Sequence, residues 1–159
     1  MKTLIFGTLF TLSIAAFSPV AYGHPATGKF PHIDGGIAFP NTRIGTVGRH
    51  SFNLEIPQQG NVPSQLTIEV PDGLRVGKTI TVSNQAGQKV ETNASVNGNK
   101  VVLDFPQPVV LGTTLRINLK NVLVTGFSNG WAYPLSGKFA GLNGDIPLGT
   151  VLIQNRQRT

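Results

Sequence analysis

Thr114-Leu-Arg-Ile-Asn-Leu-Lys-Asn-Val122 is the stretch of sequence that decides the fold. Apolar and polar residues alternate along it, which is typical of a β-strand with one buried face. The alternation predicts that the apolar members face the core and that the polar members face water. The inward set is Leu115, Ile117, Leu119 and Val122, and the outward set is Arg116, Asn118 and Lys120.

The same two-residue period recurs on both sides of this stretch. Turn residues such as Pro71-Asp72-Gly73 separate the segments, and Asn97-Gly98 predicts a tight type I′ hairpin. The predicted strands are 50–56, 65–70, 79–83, 89–96, 101–105, 114–122, 132–136 and 150–153.

Beyond the N-terminal segment, no window shows apolar residues at helical spacing with capping residues. Short strands at regular spacing without intervening helices favour an antiparallel arrangement. The sequence therefore predicts an all-β fold, an antiparallel immunoglobulin-like β-sandwich of about seven or eight strands.

The N-terminus carries the features of a secretory signal. Lys2 is followed by an apolar stretch, 4–17, that is short for a membrane span, and the small-residue end at Gly23 suits cleavage before His24. We expect a signal peptide over 1–23, an extended arm over 24–49 with a short edge strand at 37–39, and the sandwich domain over 50–159. The chain is then exported to the periplasm or the exterior, with no transmembrane segment in the mature part.

The charge and composition of the chain limit the classes of partner that we expect. Lys and Arg number 13 against 7 Asp and Glu, but apart from Arg156 and Arg158 in the tail the cations are spread singly along the chain. This spacing is typical of a solvated surface, and we do not expect a nucleic-acid partner. There is no Cys, so the domain has to fold without disulfides.

The motifs of common enzymes are missing from the sequence. It contains no Gly-x-Ser-x-Gly element, no phosphate-binding glycine loop and no grouped pair of carboxylates. We therefore expect a protein that is not an enzyme and that uses no cofactor.

The histidines allow one alternative. Cleavage after Gly23 would make His24 the N-terminal residue, whose amine and imidazole bind Cu(II), and His32 or His50 could complete the site. The alternative is a periplasmic copper-binding protein or copper oxidase. Against it, His50 opens a strand where a solvent-facing polar residue is expected.

The segment 126–144 is rich in glycine and carries several aromatic residues. Exposed aromatic side chains on loops stack on sugar rings, so Phe127, Trp131 and Tyr133, with Asn129 as a hydroxyl partner, form a candidate ligand site. The competing interpretation, which we favour for Trp131, is that this single Trp packs in the core.

Several segments carry a resemblance to a known family. They are 52–57, 65–71, 82–88, 108–115, Trp131 with Tyr133, and Asp145-Ile-Pro-Leu-Gly-Thr150. In this order the chain resembles the secreted cyanobacterial proteins grouped as domain of unknown function 2808. The resemblance implies a photosynthetic bacterial source and an extracytoplasmic setting, and it implies no active-site residues.

These observations converge on a non-catalytic module outside the cytoplasm. It is expected to bind or organise a component of the cell envelope, either an envelope polysaccharide or an envelope protein. The sequence does not indicate an oligomeric state.

Overall fold

The computed structural model describes residues 28–40 and 44–154. Within them the secondary structure is entirely β, and the strands follow one another in chain order. They are β1 (His32–Phe39), β2 (Val47–Glu55), β3 (Pro63–Glu69), β4 (Leu74–Arg75), β5 (Ile80–Ser83), β6 (Lys89–Val90), β7 (Asn93–Asn97), β8 (Lys100–Asp104), β9 (Thr114–Val124), β10 (Gly130–Phe139) and β11 (Ile146–Gln154).

The strands form two antiparallel sheets. The first has the order β1-β2-β9-β5-β6, with β4 also paired to β9, and the second has the order β11-β10-β3-β8-β7. Apolar side chains from the inner faces of both sheets make one core, which includes Phe52, Leu66, Ile117 and Tyr133. The predicted fold class is confirmed, and two of the described strands, β4 and β6, are only two residues long.

β9 lies at the centre of the first sheet and shows the predicted alternation. Leu115, Ile117, Leu119 and Val122 are fully buried. The step of three residues from Leu119 to Val122 is accommodated by a bulge, because one residue of β2, Arg49, stands opposite two residues of β9, Lys120 and Asn121. Asn121, in the bulge, has a φ of 55°. The extra residue returns Val122 to the core face.

The N-terminal part of the described chain belongs to the sandwich. The short edge strand predicted at 37–39 is the end of an edge strand that begins at His32 and pairs with β2. A bulge at Asp34 and Gly35 turns Gly36 toward the core, where a side chain would collide with Val151. The glycines that made this segment resemble an arm therefore allow the two sheets to approach.

β10 is twice as long as the predicted strand 132–136, since it runs from Gly130 to Phe139. It contains Pro134, which is uncommon inside a sheet because it has no N–H to donate. β3 pairs with β10 only from Leu135 onward, so Pro134 lies just beyond that ladder. Trp131 and Tyr133 alternate with exposed residues and point into the core.

The predicted hairpin joins β7 and β8, but its turn is of another type. Asn97 pairs with Lys100, so the central residues are Gly98 and Asn99. Gly98 has a φ of 61°, whereas Asn99 has no positive φ. A type I′ turn needs positive φ at both central positions, so the predicted type was wrong. Glycine at the first central position indicates a type II′ turn.

Gly98→Val should lower the free energy of unfolding by about 1–3 kcal/mol, because a β-branched residue is strained at positive φ. No atom lies within 4 Å of the position that its Cβ would occupy, so the loss would come from the backbone alone. Denaturant unfolding measures the effect. Asn97→Val, an exposed strand position one residue earlier, is the matched control and should change stability little.

Candidate functional site

The aromatic residues predicted as a ligand platform do not share a surface. Trp131 and Tyr133 are 3% and 0% exposed, respectively, on the inner face of β10. Phe127 is 95% exposed in the loop that joins β9 to β10, and Asn129 is exposed in the same loop. The platform prediction is therefore wrong for Trp131 and Tyr133, because strand alternation directs both inward. The interpretation of Trp131 as a core residue is confirmed.

Trp131 closes the core near one end of the sandwich. Its ring atoms lie 3.1 Å from the position that a Cβ on Gly73 would occupy, so only glycine fits beneath the indole. Gly73 has a φ of 87°, in the turn between β3 and β4. The glycine of the predicted Pro-Asp-Gly turn thus serves both the backbone and the packing of the indole.

His50 and Tyr133 form a buried polar pair between the two sheets. Nδ1 of His50, on β2, and the hydroxyl of Tyr133, on β10, share a hydrogen bond of 2.5 Å. Which of the two donates depends on the histidine tautomer. The rings meet edge to face with centroids 5.7 Å apart, and the centroid of the Phe52 ring lies 4.9 Å from that of Tyr133.

Burial has opposite effects on the two ionisations. It lowers the pKa of His50 to about 4, because the imidazolium loses its hydration. It raises the pKa of Tyr133 for the corresponding reason, since the phenolate is the charged form. Both groups are therefore neutral near pH 7, and the pair is a structural element of the core.

The prediction that His50 faces solvent was wrong, since its side chain is fully buried. His50 shares the parity of Phe52 and Leu54 along β2, and that face is the core face. The polar character of histidine misled the prediction, and the hydroxyl of Tyr133 supplies the partner that permits burial.

The histidines do not gather into one site. His32 pairs its Nε2 with the Glu55 carboxylate at 2.9 Å, and both side chains are partly exposed at the start of β1 and the end of β2. His50 points into the core, away from that surface. His24 lies outside the described residues, within which no three His, Cys, Asp or Glu side chains form a metal-binding group. A copper site that includes His50 is excluded by this geometry.

An open cleft lies beside the His32–Glu55 pair, and the sequence did not indicate it. It has a volume of about 880 Å³ and is formed where β1 begins, β2 ends and β9 begins. The backbone N–H of Asn61 donates a hydrogen bond to the backbone carbonyl of Lys29 at 2.9 Å, which holds these two parts of the lining together. Polar side chains supply much of the lining: Lys29, His32, Glu55, Gln58, Gln59 and Asn61.

Two glycines of the lining allow parts of the chain to approach each other closely. Gly60 has a φ of 125°, and a Cβ there would collide with the Lys29 backbone. A Cβ on Gly112 would lie 3.2 Å from the Gln58 side chain. The result is a depression with amide, carboxylate, imidazole and ammonium groups around it, which suits a hydroxylated or zwitterionic ligand.

Comparisons with known proteins bear on the fold. No family model and no curated protein matches this sequence. The chain is similar to a C-terminal fragment of GBS80, the major pilin of Streptococcus agalactiae, with a TM-score of 0.55 and 8% identity over 78% of this chain and 56% of that one. It is also similar to the full-length major pilin SpaD of Corynebacterium diphtheriae, with a TM-score of 0.55 and 13% identity over 78% of this chain and 33% of that one.

A third similar structure is comparable in size to this chain. It is BslA, described as a bacterial hydrophobin, with a TM-score of 0.52 and 14% identity over 82% of this chain and 93% of that one. Identities this low show a shared fold and carry no residue roles. The fold is thus an immunoglobulin-like β-sandwich.

Proposed function

We propose that this chain is an exported, non-catalytic module that binds a polar polymer of the cell envelope through the cleft beside His32 and Glu55. The observation that carries the proposal is the lining of this cleft, in which amide side chains stand next to a carboxylate and a cation. Side chains of these types pair with hydroxyl and acetamido groups by hydrogen bonds in both directions.

The geometry of the cleft favours an extended ligand over a small enclosed one. The cleft is open to solvent and runs between the 56–61 loop and the start of β9. The contact of His32 Nε2 with the Glu55 carboxylate forms part of one wall and orients the carboxylate. A polymer can lie along such a surface and extend beyond the cleft at both ends, whereas an enclosed site would admit only a free small molecule.

The proposed location outside the cytoplasm is supported by the kinds of protein to which this chain is structurally similar. Two of them are major pilins and one is a bacterial hydrophobin, and these are proteins of bacterial surfaces. Among the described residues no helix has the length and apolarity to cross a membrane. Processing of the segment 1–23 and membership of the cyanobacterial family stay predictions. Mass spectrometry of the mature N-terminus tests the processing directly.

Replacing Gln58, Gln59 and Asn61 together by alanine should weaken retention on immobilised envelope polysaccharide by about tenfold or more. Each lost hydrogen bond contributes about 0.5–1.5 kcal/mol, and about 1.4 kcal/mol corresponds to tenfold. The probes are purified peptidoglycan sacculi and total exopolysaccharide, with bound protein measured after sedimentation.

The matched control replaces three exposed amides elsewhere, Gln107, Asn129 and Asn143, by alanine. It removes the same chemical groups and includes Asn129, the predicted hydroxyl partner of the aromatic segment. Equal loss in both variants, or none in the cleft variant, would contradict the assignment of the cleft. A protein captured from envelope extract by both variants would instead point to an envelope protein as the partner.

A further inference from the structure

The outward face of the first sheet is unusually apolar at the end opposite the cleft. Gly36 and Ala38 of β1 face the core, so Ile37 and Phe39 point outward, and they are 65% and 67% exposed. Val47, the first residue of β2, is 56% exposed. It pairs with the half-buried Leu123 of β9.

The strand register makes these side chains neighbours. Phe39 pairs with Arg49, so Val47, two residues earlier on β2, is its diagonal neighbour on the same face. Ile37 stands two residues before Phe39 on β1. Together Ile37, Phe39, Val47 and Leu123 form a continuous apolar patch across three adjacent strands.

Cations are placed among these apolar residues. Arg49 lies between Phe39 on β1 and the bulge that contains Lys120 on β9. Arg75 of β4 pairs with Leu123 and borders the patch on the far side. All three cations are exposed. In the described sheet, the paired rows that contain Arg49, Lys120 and Leu123 include no carboxylate. Glu55 lies at the other end of β2 and pairs with His32.

The outward face of the second sheet is different and provides an internal comparison. There Lys100 pairs with Glu69 in the register, and Lys138 and Asp104 both flank Gln65. Its exposed apolar residue, Leu152 of β11, is 57% exposed and borders no such group of cations. Arg49 and Lys120 thus have no carboxylate beside them in the paired rows, whereas Asp72 lies near Arg75 in the turn before β4.

We propose that this face docks on an anionic phospholipid bilayer, with Arg49, Arg75 and Lys120 at the headgroups and Ile37, Phe39 and Val47 at the acyl boundary. Each Lys or Arg near an anionic leaflet contributes about 1 kcal/mol, and apolar side chains at the interface add hydrophobic free energy. The face is separate from the polar cleft, so docking would leave the cleft accessible.

An anionic polysaccharide would satisfy the cations but would gain nothing from the apolar side chains. Ile37 and Phe39 are extended into solvent beside the arginines, where a hydrated polymer offers them no apolar contact. A bilayer interface satisfies both sets of groups at once. The mixture of the two residue types on one surface therefore favours lipid.

The test is co-sedimentation of the mature chain with vesicles of phosphatidylglycerol and phosphatidylcholine in equal parts, compared with phosphatidylcholine alone. We expect binding to the anionic vesicles only, and a decline with added salt. Arg49→Glu with Lys120→Glu should weaken binding by at least about a hundredfold, since four units of charge change. Lys100→Glu with Lys138→Glu, on the second sheet, changes charge equally and should have a much smaller effect.

A second pair of variants tests the apolar component. Phe39→Ser should weaken vesicle binding by roughly tenfold or more, whereas Leu152→Ser on the other sheet should leave it unchanged. Thermal melting confirms that each variant is folded. Equal loss in the two charge variants, an unaffected Phe39→Ser, or equally tight binding to dextran sulfate without vesicles would overturn the proposal. None of these results would affect retention of polysaccharide by the cleft.

Discussion

Trp131→Ala should lower the free energy of unfolding by about 3–5 kcal/mol, the range for truncating a large aromatic side chain in a core. The indole is 3% exposed and packs within the cluster that joins the two sheets. The surrounding backbone cannot collapse easily into the space, because Gly73 is held in a turn directly beneath the ring. Chemical denaturation followed by circular dichroism measures the loss.

Phe127→Ala is the matched control, since Phe127 is an aromatic side chain of the same segment with 95% exposure. Its truncation should change stability by less than about 0.5 kcal/mol. Trp131 is the single Trp, so native fluorescence reports on it alone and should be blue-shifted and protected from quenchers. Red-shifted, quenchable emission would show that the indole is at the surface.

Acidification should destabilise the domain through His50. Its pKa is about 4 in the folded protein and about 6.5 in the unfolded chain. Between these values the unfolded chain binds a proton that the folded protein does not, so stability is full above pH 6.5 and falls as the pH is lowered toward 4. The difference corresponds to about 3 kcal/mol between pH 7 and pH 4.

The measurement is the free energy of unfolding at both pH values for the wild type and for His50→Gln. The variant keeps a polar partner for the Tyr133 hydroxyl but cannot be protonated in this range. It should be less stable than the wild type at pH 7 and should lack the His50 part of the pH dependence. Identical pH profiles for the two proteins would show that His50 is not buried as a neutral ring.

The fold was predictable from the sequence wherever one strand face is buried. The alternation of 114–122 predicted the inward set of β9 correctly, including Val122 beyond the bulge. β10 was predicted only in part, because Gly130, Pro134 and Gly137 interrupt its pattern and are individually unfavourable in strands. Their places in the sheet depend on the partners of β10 and on the close packing of the two layers.

The candidate surfaces were much less predictable. The cleft is assembled from three separate parts of the chain, represented by Lys29 with His32, by Gln58 and by Gly112, which become neighbours only in the folded sandwich. The same is true of the contact between His50 and Tyr133, which are 83 residues apart. The parity of His50 with Phe52 and Leu54 was the signal for an inward side chain, but we predicted a solvent-facing His50 because histidine is polar.

The register of β11 bears on how the module behaves at high concentration. β11 is an edge strand, and its pairing with β10 is interrupted where Gly149 and Pro147 oppose consecutive residues, leaving Leu148 as an extra residue. Pro147 cannot donate a backbone hydrogen bond, and the bulge bends the strand. A second chain would therefore find no continuous ladder along this edge, which protects a nine-residue strand from intermolecular β-sheet growth and aggregation.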